Sequence, residues 1–356
     1  SKGAIMNIRK LSAGAGIAAL IAAAFMAPSA ASAASNGATA TTIRIGYFAN
    51  LTHAPALVAK QQKLFETDLP GVKIEYTVFS VGTAEIEALK GGALDAAYVG
   101  PGPALSGYVT TQGQLLNIVS GVTNGGAKFV VKPSLIATEG KPTKAEIAGL
   151  AGKNIADPGL GGTQDIALKT YLKKNALFVN GQSKANIIGL ANADTLTEFQ
   201  QGRVDGAWVP EPWATRLIQE GKAKVFVDEA SLWPKGKFST TVLAVSKTFS
   251  SKYPASVVGL LKANQSAINY LNNKANVADA QNQVQAELLA ATGKKLSDSV
   301  IAEAWKSLNF DSNPLTLSVK QNFVNSAALG FLPTKSTSAF KGIVNLTWLN
   351  QAKSGK

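Results

Sequence analysis

The chain repeats itself, and the repeat limits the folds open to it. Residues 91–108 read GGALDAAYVGPGPALSGY and residues 201–217 read QGRVDGAWVPEPWATRL. With Gly92 set against Gly202, Asp95 meets Asp205, Ala97 meets Ala207, Tyr98 meets Trp208 and Val99 meets Val209, and prolines follow in both (Pro101 and Pro103; Pro210 and Pro212). In each copy a polar helix ends at the glycine, which tolerates the left-handed conformation that closes a helix. A short apolar run follows, too brief for a helix and apolar enough for a strand buried on both faces. A Pro-rich turn then opens a second helix, where proline's fixed φ and missing N–H do no harm. Two copies predict two α/β lobes of similar build. Their Pro turns lie at the carboxyl ends of the strands, where ligand crevices of such sheets form. Two lobes with these turns facing make a clamp.

The N-terminal segment has a different character. Arg9 and Lys10 precede the apolar run Ala13–Met26, and Ala31-Ser32-Ala33 is an A-x-A site. From Met6 to Ala33 this reads as a secretory signal peptide cleaved near Ala33, which predicts an exported, soluble mature protein. Its apolar part is short for a membrane span, and no later stretch approaches the ~18 apolar residues a span needs. No cysteine is present, so disulfides, thiolate chemistry and Cys-ligated metals drop out. Removing residues 1–33 lowers the net charge from +13 to +10. The remaining lysines are scattered, without the basic stripe that a nucleic-acid partner needs. Such a charge serves either solubility or the long-range attraction of anions.

The mature length exceeds one core and suits two lobes. Residues 34–41 are a small-residue flexible linker. Ile43–Phe48 alternates as a strand, Asn50–Ala54 is a loop, and Pro55 starts a helix. Val72–Phe79 is a second strand, with Ser80–Thr83 leading into another helix. Leu115–Ser120 and Lys128–Val131 are strands, and 138–149 is a connecting loop or short helix. Gly152–Asp157 restarts the pattern, and Gly159–Thr163 leads into the helix 164–176. Thr195 and Glu198 have capping-box spacing and open the helix that ends at Gly202. Phe238–Ser246 is a β-rich run. Helices then dominate: 254–272, 277–291, 298–308 and 317–329, the last with Val319, Phe323 and Ala327 on one face. They fold back on the first lobe. The expected lobes are therefore discontinuous, 42–130 with 229–340 and 131–228, joined by a two-crossing hinge, with 341–356 as a C-terminal tail. Two crossings permit closure around a ligand.

In this order the segments resemble the periplasmic substrate-binding proteins of ABC importers, and within them the nitrate/sulfonate/taurine-binding (SsuA/THI5-like) group. The resemblance rests on Ile45-Gly46-Tyr47, on Phe79-Ser80-Val81-Gly82 before Glu87-Ala88-Leu89, and on Gly92–Asp95 before Gly100–Pro103. Further along it rests on Leu150–Lys153, on Val204–Ala207 before Glu211-Pro212-Trp213, and on Leu329–Lys335. It implies a type II periplasmic binding protein fold, with an ABC permease and ATPase in the inner membrane as partners. It also implies a monomer without cofactor that binds a small anionic or zwitterionic ligand and catalyses nothing. An aliphatic sulfonate such as taurine heads the candidates. Nitrate, bicarbonate and a thiamine-pyrimidine precursor are the alternatives. Some relatives in the group are pyrimidine-forming enzymes that use a histidine and a lysine-bound cofactor. The predicted signal peptide and the missing cysteine motif of those enzymes argue against that activity here.

The predicted cleft loops carry Asn50, Thr52 and His53; Ser80, Gly82 and Thr83; Gly100 and Pro101; Gly161, Gly162 and Thr163; and Glu211 and Trp213. Several precede helix N-termini, whose free N–H groups and dipole bind an anion without a formal cation. One partly buried N-terminus contributes up to ~2 kcal/mol, and each hydrogen bond to a charged group ~1.5–3 kcal/mol. Two of each approach the ~8 kcal/mol of a micromolar ligand. Ser80, Thr83 and Thr163 have either this role or that of helix caps. Gly159–Thr163 lacks the Lys-Ser/Thr pair of a P-loop. His53, the sole histidine, is either a ligand contact that titrates near neutrality or an imidazole at the surface or behind the ligand contacts. Alone, it makes neither an ordinary zinc site nor a hydrolytic triad. Glu211 repels a sulfonate unless it faces an ammonium on the ligand or caps the following helix. Tyr47, Phe48 and Trp213 are pocket walls or core, and Trp208 is core.

Overall fold

The computed structural model describes residues 37–355, and the signal-peptide pattern at 6–33 lies outside them. In chain order the first half runs β1 (Thr42–Phe48), α1 (Ala54–Gln61), α2 (Leu64–Asp68), β2 (Lys73–Phe79), α3 (Gly82–Lys90), β3 (Ala96–Val99), α4 (Pro101–Thr110) and β4 (Leu116–Gly125). The chain then passes through β5 (Ala127–Val131), α5 (Lys144–Ala148), β6 (Asn154–Asp157), α6 (Thr163–Lys174), the small hairpin β7 (Phe178–Val179) and β8 (Gln182–Ser183), and β9 (Asn186–Gly189). It continues with α7 (Asn192–Gln200), β10 (Gly206–Pro210), α8 (Trp213–Gly221), β11 (Lys224–Asp228) and β12 (Ser239–Ser246). The rest is α9 (Lys247–Lys252), α10 (Pro254–Asn272), α11 (Val277–Thr292), α12 (Asp298–Trp305), β13 (Leu308–Phe310), α13 (Thr316–Ala328) and α14 (Thr347–Ser354).

Two sheets carry the fold. One has the order β13-β4-β12-β3-β1-β2 and the other β11-β5-β10-β6-β9. In each, three parallel strands followed by helices (β2, β1, β3; β9, β6, β10) meet a long strand that runs the other way (β12; β5). The chain changes sheet at Gly126, between β4 and β5, and again at 229–238, between β11 and β12. The first change falls earlier than expected, because Lys128–Val130 pairs with β10 in the second sheet.

The repeat reappears as matched register. Asp95 Oδ2 accepts from the Arg44 N–H at 2.9 Å, and Asp205 Oδ2 accepts from the Asn154 N–H at 2.8 Å. Each aspartate thus pins its own strand to the first strand of its sheet, so Ile45 pairs with Ala96 and Ile155 with Gly206. The apolar runs of both copies are fully buried, Trp208 among them. On the first sheet, Ile43, Ile45 and Leu57 pack with α10 and α11 on one face, and Leu105, Val319 and Phe323 fill the other.

Three further expectations change. The helix expected to open at Thr195 starts at Asn192, so Thr195 is a buried residue inside the first turns. The helix expected through Leu308 stops at Trp305, since Leu308–Phe310 is an edge strand against β4. Among the described residues, the expected linker and tail are both anchored to the fold. Ala40 is buried with its N–H donating to Ser256 Oγ at 2.8 Å. Ile343 and Leu349 are buried, and α14 packs on α10. Burial of one apolar face is enough to hold such segments at about 25 cal/mol per Å². Among the described residues no helix is long and apolar enough to cross a membrane.

Candidate functional site

A cavity of about 40 Å³ lies between the sheets, at the carboxyl ends of their parallel strands. Its walls include Phe48, Asn50, Thr52, His53, Ser80, Gly82, Gly100, Gly162 and Thr163 from the expected loops. Val81, Pro103, Pro158, Gly159, Gln164, Asn192, Pro210, Thr240 and Thr241 complete them. None of the lining side chains carries a formal charge. At about 10–15 Å³ per water centre, the space holds a few waters or one compact polar group.

Four helices begin at this cavity: α3 at Gly82, α4 at Pro101, α6 at Thr163 and α7 at Asn192. The residues before them are Val81, Gly100, Gly162 and Ala191, and none supplies a side-chain cap. The first-turn N–H groups of α3, α6 and α7 therefore stay available, while α4, opened by Pro101 and Pro103, adds its dipole end alone. One N–H is already used: Gly102 donates to Thr163 Oγ1 at 3.1 Å, across from α4 to α6. The Thr163 hydroxyl keeps its own proton free to donate. Thr241 is almost fully buried, and its Oγ1 has no partner among the described residues.

His53 is buried and stacks on Phe48 with ring centroids 4.7 Å apart. Its Nδ1 accepts the Phe48 N–H at 3.2 Å, which leaves the proton on Nε2. Burial pushes its pKa down to about 3. The imidazole is thus a neutral donor in the cavity wall, and it does not change charge near neutral pH as the sequence suggested. Two acids lie beneath the same helices. Burial holds the carboxyls of Glu85, in α3, and Asp157, at the end of β6, well above the usual range. In both, burial favours the neutral form.

Five expected site residues lie elsewhere. Thr83 and Gly161 face a separate hollow near Phe331, and Pro101 is buried in the first turn of α4. Glu211 is fully buried: Oε1 meets Lys128 Nζ at 3.1 Å and Oε2 accepts the Thr215 N–H at 3.1 Å. It caps α8. Trp213 leans over the cleft and donates Nε1 to Asn50 Oδ1 at 2.9 Å, which leaves the Asn50 amide N–H groups for the cavity. Tyr47 is core. Sequence reading missed Thr240 and Thr241, hidden in an apolar-looking strand, and Asn192, hidden by the capping-box spacing downstream.

A second chamber of about 490 Å³ adjoins the first and shares Phe48, Asn50, Ser80 and Asn192 with it. Val78, Phe79, Leu196 and Trp213 give it apolar walls, and Arg216, Glu220 and Lys294 form its rim. Arg216 lies over the Trp213 ring at 4.7 Å and pairs with Glu220 at 2.6 Å. Direct bonds tie the two halves around the cavity: Asn50 to Trp213, Gly102 to Thr163, the Leu51 N–H to Glu211 O at 3.1 Å, and Lys128 to Ser307 Oγ at 2.8 Å. In this conformation the clamp is shut.

Residues 36–285 match the NMT1-like family. The chain belongs to that family. Among its relatives is an aliphatic sulfonates-binding protein of Escherichia coli K12, 26% identical over 62% of this chain and 63% of its own length. Another is the nitrate/nitrite binding protein NrtA of Synechococcus elongatus, 24% identical over 66% of this chain and 56% of its own length. A third is the taurine-binding periplasmic protein of E. coli K12, 25% identical over 64% and 65%. The chain thus spans less than two thirds of these relatives. Among solved structures, the alkanesulfonate-binding protein SsuA of Xanthomonas axonopodis pv. citri bound to MOPS superposes with a TM-score of 0.69 at 22% identity, covering 85% of this chain and 98% of that one. The nitrate-binding NrtA of Synechocystis PCC 6803 gives 0.73 at 15%, covering 90% of each. The fold is that of the two-lobed periplasmic binding proteins, and the curated relatives are binding proteins rather than enzymes.

Proposed function

We propose that this protein is the exported solute-binding component of an ABC importer, and that it closes two lobes on the anionic head of an aliphatic sulfonate. One observation carries the reading. Three helix N-termini with free first-turn N–H groups (α3, α6 and α7), with Thr and Asn donors and a neutral His53, surround a cavity whose walls carry no charge. Such a site pays little desolvation for a monoanion and repels a cation. The adjoining chamber favours an organic tail over bare nitrate or bicarbonate, which would leave its apolar walls unused. The proposed ligand contacts are Asn50, Thr52, His53, Ser80, Gly82, Gly100, Gly162, Thr163 and the added Gln164, Asn192 and Thr241. The relatives' names and the pattern at 6–33 support a periplasmic location, and a membrane permease–ATPase partner belongs to the same reading. A lysine-bound cofactor, as in the pyrimidine-forming relatives, has no lysine in the cavity wall to hold it.

Glu211 is spent on Lys128 and α8, so the amino group of taurine finds no free carboxylate in the cavity. The reading is therefore of alkanesulfonates as a class. Calorimetric titration with ethanesulfonate, taurine, nitrate and a hydroxymethylpyrimidine tests it. Both sulfonates should bind with similar constants; a response to the pyrimidine alone would remove the sulfonate reading.

A further inference from the structure

Asp157 and Asp165 are both fully buried behind the turn 158–162, which connects β6 to the anion-facing start of α6. Each carboxyl holds one glycine of that turn. Asp157 Oδ1 accepts the Gly159 N–H at 3.0 Å, and Asp165 Oδ2 accepts the Gly161 N–H at 2.7 Å as well as Lys169 Nζ at 2.9 Å. The other oxygen of each, Asp157 Oδ2 and Asp165 Oδ1, has no donor among the described residues. The two carboxyls are buried on the same short turn with a single ammonium, that of Lys169, to neutralise them, and two carboxylates can only accept. A hydrogen bond between them requires a proton.

We propose that Asp157 is a positioning residue for anion binding: it carries a proton that it donates to Asp165, and this one-proton pair fixes the 158–162 turn so that the first N–H groups of α6 aim into the cavity. The proposal rests on the reading of the cavity as an anion site. Charge balance supports it. With one proton, the pair's single negative charge is matched by Lys169, whose ammonium lies 5.0 Å from the Phe331 ring. Without the proton, an uncompensated carboxylate sits directly behind the anion. Burial and the Asp165 charge both hold the Asp157 proton well above the ordinary carboxylate range. Of the elements packed against β6 and α6, β9, β10 and α4 carry no charged side chain, Lys320 of α13 and Asp194 of α7 are exposed, and Glu198 is paired with Arg203. The turn needs such anchors, since Gly161 takes a left-handed φ of 78° and has open space where a side chain would stand.

The sign of the pH dependence follows. The folded-state proton is held more tightly than in the unfolded chain, so the turn is intact at neutral pH and loosens as pH rises through the raised pKa. Two readouts test this in the full-length mature protein. Carbon-13 carboxyl resonances of the ligand-free protein should show Asp157 protonated at pH 7 and titrating only on the alkaline side; an ionised Asp157 at pH 7 overturns the proposal. Ethanesulfonate, which has no amine to titrate, should lose about tenfold in affinity across that alkaline titration. Asp157→Asn, whose amide still donates to Asp165, should keep neutral-pH affinity within about threefold and lose the alkaline fall. Asp157→Asn with the alkaline fall intact would overturn the positioning role. Wild type that binds no sulfonate at any pH, with Asp157 protonated as described, would remove the anion reading and the positioning role with it.

Discussion

The two copies of the repeat build the same scaffold and finish it differently. Asp95 and Asp205 pin equivalent strands, and β3 and β10 deliver equivalent helices to the cleft. In the first copy the turn is Gly100-Pro101-Gly102-Pro103, and the one N–H that it leaves goes to Thr163 in the opposite half. In the second the turn is Pro210-Glu211-Pro212, and the helix end is filled by Glu211, held by Lys128. One copy closes the clamp, and the other carries its own carboxylate where an anion could sit. A shared strand–turn–helix therefore fixes where a helix begins, while single turn residues decide whether its N-terminus meets ligand, the other half or its own side chain.

The largest expected effect comes from unplugging the second copy. Glu211→Ala leaves Lys128 and the Thr215 N–H without their partner inside the fold, and removing one member of a buried pair costs about 3 kcal/mol. Chemical denaturation should show that loss; an unchanged midpoint would mean the plug is idle. Glu211→Gln, which keeps a cap without the charge, should weaken taurine and ethanesulfonate equally. A selective loss of taurine would return Glu211 to the ligand site.

Next comes a clash built into the first copy. A Cβ at Gly100 would sit 2.1 Å from Thr163 Oγ1 and 3.1 Å from Thr163 Cβ. Gly100 has an ordinary φ of −66°, so alanine strains nothing in the separate half. Gly100→Ala should leave the melting temperature of ligand-free protein level or slightly higher. It should weaken ethanesulfonate about thirtyfold in calorimetry, or ~2 kcal/mol at 1.4 kcal/mol per tenfold. Equal affinity would show that the halves need not meet there. Thr163→Val is milder. It removes the acceptor for Gly102 and should cost about 1 kcal/mol, roughly fivefold in affinity.

The smallest effect is a predicted absence. With its pKa near 3, His53 stays neutral from pH 5.5 to 8, so ethanesulfonate affinity should be flat across that range. Stability behaves otherwise. The unfolded imidazole takes a proton below its ordinary 6.5 while the folded one refuses it until about 3. Folding stability should therefore decline as pH falls through that window. A bell or slope in affinity within the neutral range would contradict the Nε2-donor assignment.

The sequence made the scaffold legible because its signals are local. The repeat, the Pro turns and the Val319–Phe323–Ala327 stripe each follow from spacing along the chain. The loops holding Asn50, Thr52, His53, Ser80, Gly82, Gly100, Gly162 and Thr163 could likewise be located, since strand carboxyl ends define the crevice. What stayed hidden depends on partners far away in sequence. Lys128 reaches Glu211 from 83 positions away, and no local pattern announces that pairing. Thr240 and Thr241 sit in a strand whose alternation reads as core, and the register shifts on either side of Thr241, which place it in the cavity wall, leave no mark in the sequence. His53 was visible as a residue, but its neutrality comes from complete burial, which is set by tertiary packing.

The central claim is that a cavity without charged side chains holds an anion by helix N-termini. Calorimetric titration of the mature protein with ethanesulfonate against its uncharged analogue ethyl methyl sulfone, at low and high salt, tests it most directly. The account predicts tight binding of the sulfonate and at least about hundredfold weaker binding of the sulfone, with little change on added salt because the site is enclosed. Equal affinity for the two, or binding of the sulfone alone, would contradict it.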